Sequence, residues 1–268
     1  MMASPTRSAG QSHSPLNDEP LLRVINVSKK FGNFFALRGV SIEIPKNSIV
    51  LLIGPNGSGK TTLVNCISGV YKPDGGTIMF NGKNITGLPI HEIVRLGLGR
   101  SFQIPQPFMR MTVAENLLIC GQDNPGESFL LSMSRKNWKD FEKKNLEKMH
   151  QVLKTIGLQD KADNLACELS GGQLKLLELG RLLMLNSKMM LLDEPIGGVN
   201  PVLAHNIFSH IVNIRNEFGI SFLIIEHRLD IAMKYVDFVY VLSAGNVVAS
   251  GTPKEIVEMG KLYEVYLA

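Results

Sequence analysis

The stretch that most constrains this chain is Gly54-Pro55-Asn56-Gly57-Ser58-Gly59-Lys60-Thr61-Thr62. It follows the nearly all-apolar "SIVLLIG" and opens "KTTLVNCISGVY", whose apolar residues recur at helical spacing. An apolar run without alternation is expected of a parallel strand covered on both faces. Strand, glycine loop and helix in that order fit G-x-x-x-x-G-K-[ST]. The glycines let the backbone wrap closely round a phosphate, while successive N–H groups and the helix N-terminus supply positive potential. Lys60 then reaches the β and γ phosphates of a nucleotide, and the Thr61 hydroxyl binds Mg²⁺. Alone, the motif says only that a nucleotide is bound.

The rest of the pattern is mixed. "LRVINVS" and "VSIEI" alternate, as antiparallel strands with one wet face do, and "TIMFNG" follows the turn "KPDGG". Later strand candidates "KMMLLDE", "SFLIIEH" and "FVYVLSAG" alternate with helical stretches at 201–218 and 228–235. That alternation implies a largely parallel sheet. Between about 104 and 187 the pattern is helical, which reads as an insertion within the sheet domain. No apolar run reaches the roughly 18 to 20 residues that a bilayer-spanning helix needs. The first twenty residues are rich in Ser and Pro and lack the apolar centre of a signal peptide, so residues 1–20 are expected to be a disordered tail on a cytoplasmic protein. Cys66, Cys120 and Cys167 are far apart and odd in number, as expected of reduced thiols. The net charge is a mild +4. Part of it lies in "RKNWKDFEKKNLEK", whose alternating signs suit a solvated helix face better than a nucleic-acid groove.

A second acidic element ends an apolar strand at Met189–Glu194. Asp193 suits a role holding Mg²⁺ through water, and Glu194 suits orienting or polarising an attacking water. Parallel strands deliver such ends to the edge where the glycine loop lies. Gln103, after "GRSF", and His227, after "FLIIE", are further polar residues at strand ends.

One feature is left over: Leu169-Ser170-Gly171-Gly172-Gln173 opens the apolar helical run "LKLLELGRLLML". The order "GPNGSGKT", "SFQ", "LSGGQ", "MMLLDE", "IIEH" resembles the nucleotide-binding subunits of ABC transporters, from about residue 21 onward. The resemblance implies a P-loop NTPase core of α/β class with a mostly parallel sheet, a small antiparallel β-subdomain and an inserted helical subdomain, filling residues 21–268. It implies ATP and Mg²⁺ as ligands, and two ATPase subunits meeting head to tail, the second a copy or a paralogue. In that arrangement Ser170, Gly171, Gly172 and Gln173 serve the partner's ATP. Two glycines before a helix make an anion cradle that one chain cannot close over its own nucleotide.

Further roles follow from the same resemblance. Phe31, in "VSKKFG", stacks on adenine. Gln103 touches Mg²⁺ or water and links to the membrane subunit. Glu194 is the catalytic base, and His227 contacts the γ-phosphate. Gly197-Gly198-Val199-Asn200 departs from the common Ser-Ala-Leu-Asp, so an uncharged amide replaces the carboxylate that bonds across the dimer.

"GRSFQIPQPFMRMTVAENLLI", "EPIGGVNP", "IIEHRLDIA", "ASGTPKEI" and "LYEVYLA" are similar to the ATP-binding subunits of branched-chain or hydrophobic amino-acid importers. Subunits for urea import and lipopolysaccharide export share much of this pattern. Two integral membrane permeases, a periplasmic substrate-binding protein and a location on the cytoplasmic face of the inner membrane are then implied. "IPQPFMRMTV" would border the groove for the permeases' coupling helices and expose Phe108 and Met109; core packing is the competing use of both side chains. A soluble ABC ATPase of DNA repair or translation would call for a heptad insertion, tandem ATPase domains or a concentrated basic face. A small-molecule kinase leaves LSGGQ without a purpose.

Overall fold

The computed structural model describes residues 19–101, 106–122, 124–127, 133 and 135–259. Gln103, the "LYEVYLA" ending and the tail up to residue 18 lie outside the described residues. In chain order the structure forms β1 (Leu22–Phe31), β2 (Phe34–Ile44), β3 (Ile49–Ile53), α1 (Lys60–Ile67), β4 (Gly75–Phe80), β5 (Lys83–Asn84), α2 (Ile90–Arg95), β6 (Leu98–Arg100) and α3 (Val113–Leu118). There follow α4 (Arg135–Ile156), α5 (Gly171–Met184), β7 (Met189–Asp193), α6 (Pro201–Phe218), β8 (Ser221–Ile225), α7 (Leu229–Ala232), β9 (Phe238–Ser243), β10 (Asn246–Gly251) and α8 (Pro253–Glu258).

Two sheets result. The smaller is antiparallel, in the order β2-β1-β4-β5; the larger runs β10-β9-β3-β8-β7-β6 and is parallel except for β10. Strand β3 explains why its sequence is unbroken apolar. Ile49, Leu51 and Ile53 join the core shared with α3, α4, α5 and α6, whereas Val50 and Leu52 join the core shared with α1 and the antiparallel sheet. Successive side chains of a strand face opposite ways, so a strand covered on both sides has no position left for a polar residue. All five are fully buried, and each such aliphatic side chain contributes about 1.5–3 kcal/mol.

Helix α4 shows the opposite economy. Met149, Val152, Leu153 and Ile156 recur at helical spacing and are buried, while Lys143 and Glu147 form an exposed i,i+4 pair at 3.9 Å. The alternating charges are therefore a solvated face, as expected. Between residues 106 and 187 the described residues form helices and turns, with an isolated bridge between Thr112 and Leu165.

Two strands, β5 and β10, have no counterpart in the sequence expectations, and β6 has one only as the strand end at "GRSF" before Gln103. Each is short or lies at a sheet edge; β6 has three residues and exists through its pairing with β7, some ninety positions further on. The register also fixes the site. Ile225 lies opposite both Leu52 and Asp193, so the chain leaves β3, β7 and β8 at one sheet edge.

Candidate nucleotide site

The loop from Gly54 to Gly59 leaves β3 and turns into α1. Gly54 has φ 151° and Gly59 φ 105°; a Cβ on them would lie 2.0 Å from Leu242 O and 2.5 Å from Ala36 O. These two glycines are demanded by the packing of the chain itself. Gly57, at φ 79°, has nothing among the described residues near its Cβ position, so its requirement is conformational. Asn56 and Thr61 are exposed, Pro55 and Thr62 are half-buried, and Ser58 is buried with no hydrogen-bond partner for its hydroxyl among the described residues.

Lys60 is buried and folds back over the loop. Its Nζ donates to Gly54 O at 2.8 Å and Pro55 O at 2.9 Å. Burial pushes its pKa below the ordinary value, while the carboxylates of Asp193 and Glu194 pull it back up. The two acids thus stand near the loop lysine, although well over a hundred residues separate them in sequence.

Asp193 ends β7. Burial raises its pKa, and the Arg100 guanidinium beside it works in the opposite direction. Glu194 follows in a left-handed conformation, φ 51°. Its N–H donates to Ile225 O at 2.9 Å, and its Oε1 lies 3.3 Å from His227 Nε2. Lys60, Asp193, Glu194 and His227, which come from three separate stretches of the sequence, are therefore neighbours. Gln103 lies outside the described residues.

Three side chains of this region went unnoticed in the sequence. Glu226 is 1% exposed. It accepts from Ile196 N at 2.8 Å and His227 N at 3.1 Å, which fastens the turn after β7 to the end of β8. Burial pushes its pKa up, and these backbone donors oppose that. Its visible signal was an acid straight after the apolar run "FLII". Arg100 donates to Asn65 Oδ1 at 2.6 Å and Ser68 Oγ at 2.9 Å, joining β6 to α1. Lys175, on α5, donates to Glu194 O at 3.0 Å. Nothing in the sequence alone marks the last two.

The LSGGQ stretch is the N-terminus of α5. Ser170 is the N-cap: its Oγ accepts from Gln173 N, and Gln173 Oε1 accepts from Ser170 N at 2.9 Å, a reciprocal capping box. The two glycines have different reasons to be there. Gly172 is buried, and a Cβ on it would lie 2.1 Å from Leu203 Cδ2 of α6. Gly171 is exposed, with no atom within 4 Å of its Cβ position. No neighbour among the described residues requires residue 171 to be glycine.

Phe31 is 45% exposed and stands edge-on to Tyr71 at 5.3 Å between ring centres. Asn200 caps α6, its Oδ1 accepting from Leu203 N at 2.9 Å, so half of its amide is used inside its own chain. Phe108 and Met109 are exposed rather than packed in the core. The Arg181 guanidinium sits 5.4 Å from the centre of the Phe108 ring, and the buried Asn116 brackets the Phe108 backbone through both N–H and C=O.

The donor set suits a magnesium ion brought in with phosphates. Among the described residues no three His, Cys, Asp or Glu side chains gather into a metal cage. Mg²⁺ characteristically takes only one or two protein oxygens together with phosphates and water. Among the described residues, all three cysteines are free, and burial pushes the Cys66 thiol up to about 11. No described helix is long and apolar enough to cross a membrane.

The model of the family described as ABC transporter matches residues 37–197, from β2 past the acid pair. The chain is 48% identical over 247 residues to the "Probable branched-chain amino acid transport ATP-binding protein LivG" of Archaeoglobus fulgidus, covering 92% of this chain and 95% of that one. It is 36% identical to the LivG protein of Escherichia coli strain K12, covering 93% and 98%. A solved nucleotide-free ATP-binding cassette from an ABC transporter superposes with a TM-score of 0.79 at 47% identity, over 92% of this chain and 97% of that one. Another, in its ADP conformation, gives 0.80 at 45% identity, over 94% and 100%. The chain belongs to the ABC transporter family and is one of its ATP-binding subunits.

Proposed function

We propose that this subunit hydrolyses ATP to drive uptake of branched-chain or other hydrophobic amino acids through separate permeases. The observation that carries the hydrolytic part is the Glu194–His227 pair at 3.3 Å beside the buried Lys60. The substrate class rests on the names of the relatives, which are branched-chain amino-acid transport proteins.

The residues divide the work. Gly54, Pro55, Asn56, Gly57, Ser58 and Gly59 offer the phosphates a curved run of backbone, closed by Thr61 and Thr62 at the start of α1. The carbonyls of Gly54 and Pro55 occupy the Lys60 ammonium until phosphate oxygens take their place. Thr61 and Asp193, with Gln103, would hold Mg²⁺, which when bound offsets phosphate charge. Glu194 accepts the proton of the attacking water, and His227 holds that carboxylate and the γ-phosphate in register. Phe31 offers a ring face to adenine.

The other half of the site lies in a second ATPase subunit, a copy of this chain or a paralogue. Ser170, Gly171, Gly172 and Gln173 face that partner's ATP. The exposed Gly171 supports this reading, because its missing side chain clears space that nothing among the described residues fills. Two permease subunits dock on the helical region about 104–187 and keep the protein on the cytoplasmic face of the membrane; a substrate-binding protein delivers the amino acid.

Deleting the gene in its host should abolish uptake of labelled leucine, and wild-type protein should restore it. Intact leucine uptake with lost urea uptake would move the chain to a different importer. Phe108→Glu should lower leucine uptake while the purified subunit binds ATP as before, since the exposed ring touches permease rather than nucleotide. Loss of both activities, or of neither, would count against docking at Phe108.

A further inference from the structure

Lys175 follows the N-cap Ser170 by five positions on α5 and is half-buried. Its Nζ donates to the main-chain oxygen of Glu194 at 3.0 Å. The same oxygen accepts from Gly197 N at 3.0 Å, so donors from two elements fix the peptide that follows the Glu194 side chain. A non-glycine residue in the left-handed region stays there only where its surroundings over-determine it. Glu194 is such a residue, and its own N–H is tied to Ile225 O. On the far side Glu226 grips Ile196 and His227. The turn therefore hangs between the helix that starts at LSGGQ and the residues Glu226 and His227 that follow β8.

The lysine is not an ordinary surface cation. Burial pushes its ammonium below the usual value, and the carboxylates of Glu226, Glu178 and Glu194 pull it back up. A desolvated ammonium spent on a neutral carbonyl needs a geometric purpose. Along the axis it stands about 6 Å from Gly171, within the same rigid rod, so a shift of the helix N-terminus carries Nζ with it. Asn200, the other residue of this region expected to bond across the dimer, has its Oδ1 committed to Leu203 N of its own chain.

We propose that Lys175 is a positioning residue that transmits occupancy of the α5 N-terminus to Glu194 of the same chain, so that the partner's phosphate on Ser170 and Gly171 sets the carboxylate acting on this chain's own ATP. The inference rests on the two-subunit site proposed above, and gives the two sites of a dimer a route of communication through a hydrogen bond within each chain.

The test compares Lys175→Met, which keeps the stem and removes the donor, with Lys175→Arg, which keeps a donor, in the assembled dimer. Lys175→Met should lower kcat for ATP hydrolysis about ten- to a hundredfold through misplacement of Glu194. KM for ATP and the melting temperature should stay at their wild-type values, and Lys175→Arg should recover most of kcat. In a Glu194→Gln background, ATP should trap dimers of Lys175→Met as fully as dimers with Lys175 intact. Wild-type kcat in Lys175→Met overturns the proposal. So does a fall in trapping or ATP affinity in step with kcat, which marks a merely structural lysine, and so does a Lys175→Arg variant no better than Lys175→Met. Should Lys175→Met not fold, Lys175→Gln is read by the same criteria. Gly171→Asp, assayed alongside, separates the two levels: lost hydrolysis there with normal turnover in Lys175→Met keeps the shared site and removes only the transmission.

Discussion

Glu194→Gln is expected to lower phosphate release about 10²- to 10⁴-fold, the range lost when a positioned general base is removed, while ATP still binds. The amide matches the carboxylate in size, and the φ of 51° and the bond from Glu194 N to Ile225 O involve main chain alone. The turn therefore keeps its shape. On the proposed reading, binding depends on the Gly54–Thr62 loop and Lys60, whose hydrogen bonds among the described residues lie in the loop and not at Glu194. What disappears is the carboxylate that faces His227 Nε2 at 3.3 Å and that we propose takes a proton from water. Steady-state phosphate release and ATP-dependent dimer trapping by size exclusion check both halves. Turnover within about tenfold of wild type would remove Glu194 from the role of base.

The parallel strands were legible because a strand covered on both faces must read as an unbroken apolar run, and β3, β7 and β8 do so. The residues just past them were legible because parallel strands bring their ends to one edge. Strand β6 showed only as an end at "GRSF": three residues carry too little pattern of their own, and its partner β7 is distant in sequence. The buried Glu226 and the half-buried Lys175 were hidden for a related reason. Each makes sense only once the turn 194–197 has brought Ile196 N and Glu194 O beside it.

The LSGGQ sequence predicts an anion cradle, and in the structure it forms a capping box, Ser170 and Gln173 satisfying each other's backbone N–H. The uses are compatible, since a hydroxyl that accepts from Gln173 N keeps its own proton to donate. Composition could not separate the two glycines, because only the fold sets Leu203 against Gly172 and leaves Gly171 open.

That openness makes Gly171→Asp the second large effect. Gly171 has a negative-φ helical backbone and, among the described residues, no neighbour within 4 Å of its Cβ position, so an aspartate enters without strain. An acid in the first turn of a helix also suits the helix dipole. Fold and melting temperature should be unchanged. On the proposed two-subunit site the new carboxylate, however, would stand where the partner's γ-phosphate is received, and juxtaposed like charges cost several kcal/mol. At about 1.4 kcal/mol per tenfold, that is a loss of about a hundredfold or more. The chain's own ATP is held by its own loop, so its affinity should stay within about twofold of wild type, as for a neutral surface change.

The most direct measurement of the shared site is therefore ATP affinity and phosphate release of Gly171→Asp in the assembled dimer. Near-normal affinity with hydrolysis lost is the expected result: at every site in a dimer of identical chains, and at the partner's nucleotide alone in a mixed pair. Normal hydrolysis throughout, or loss confined to the nucleotide in the altered chain's own loop, would contradict a site built from two subunits.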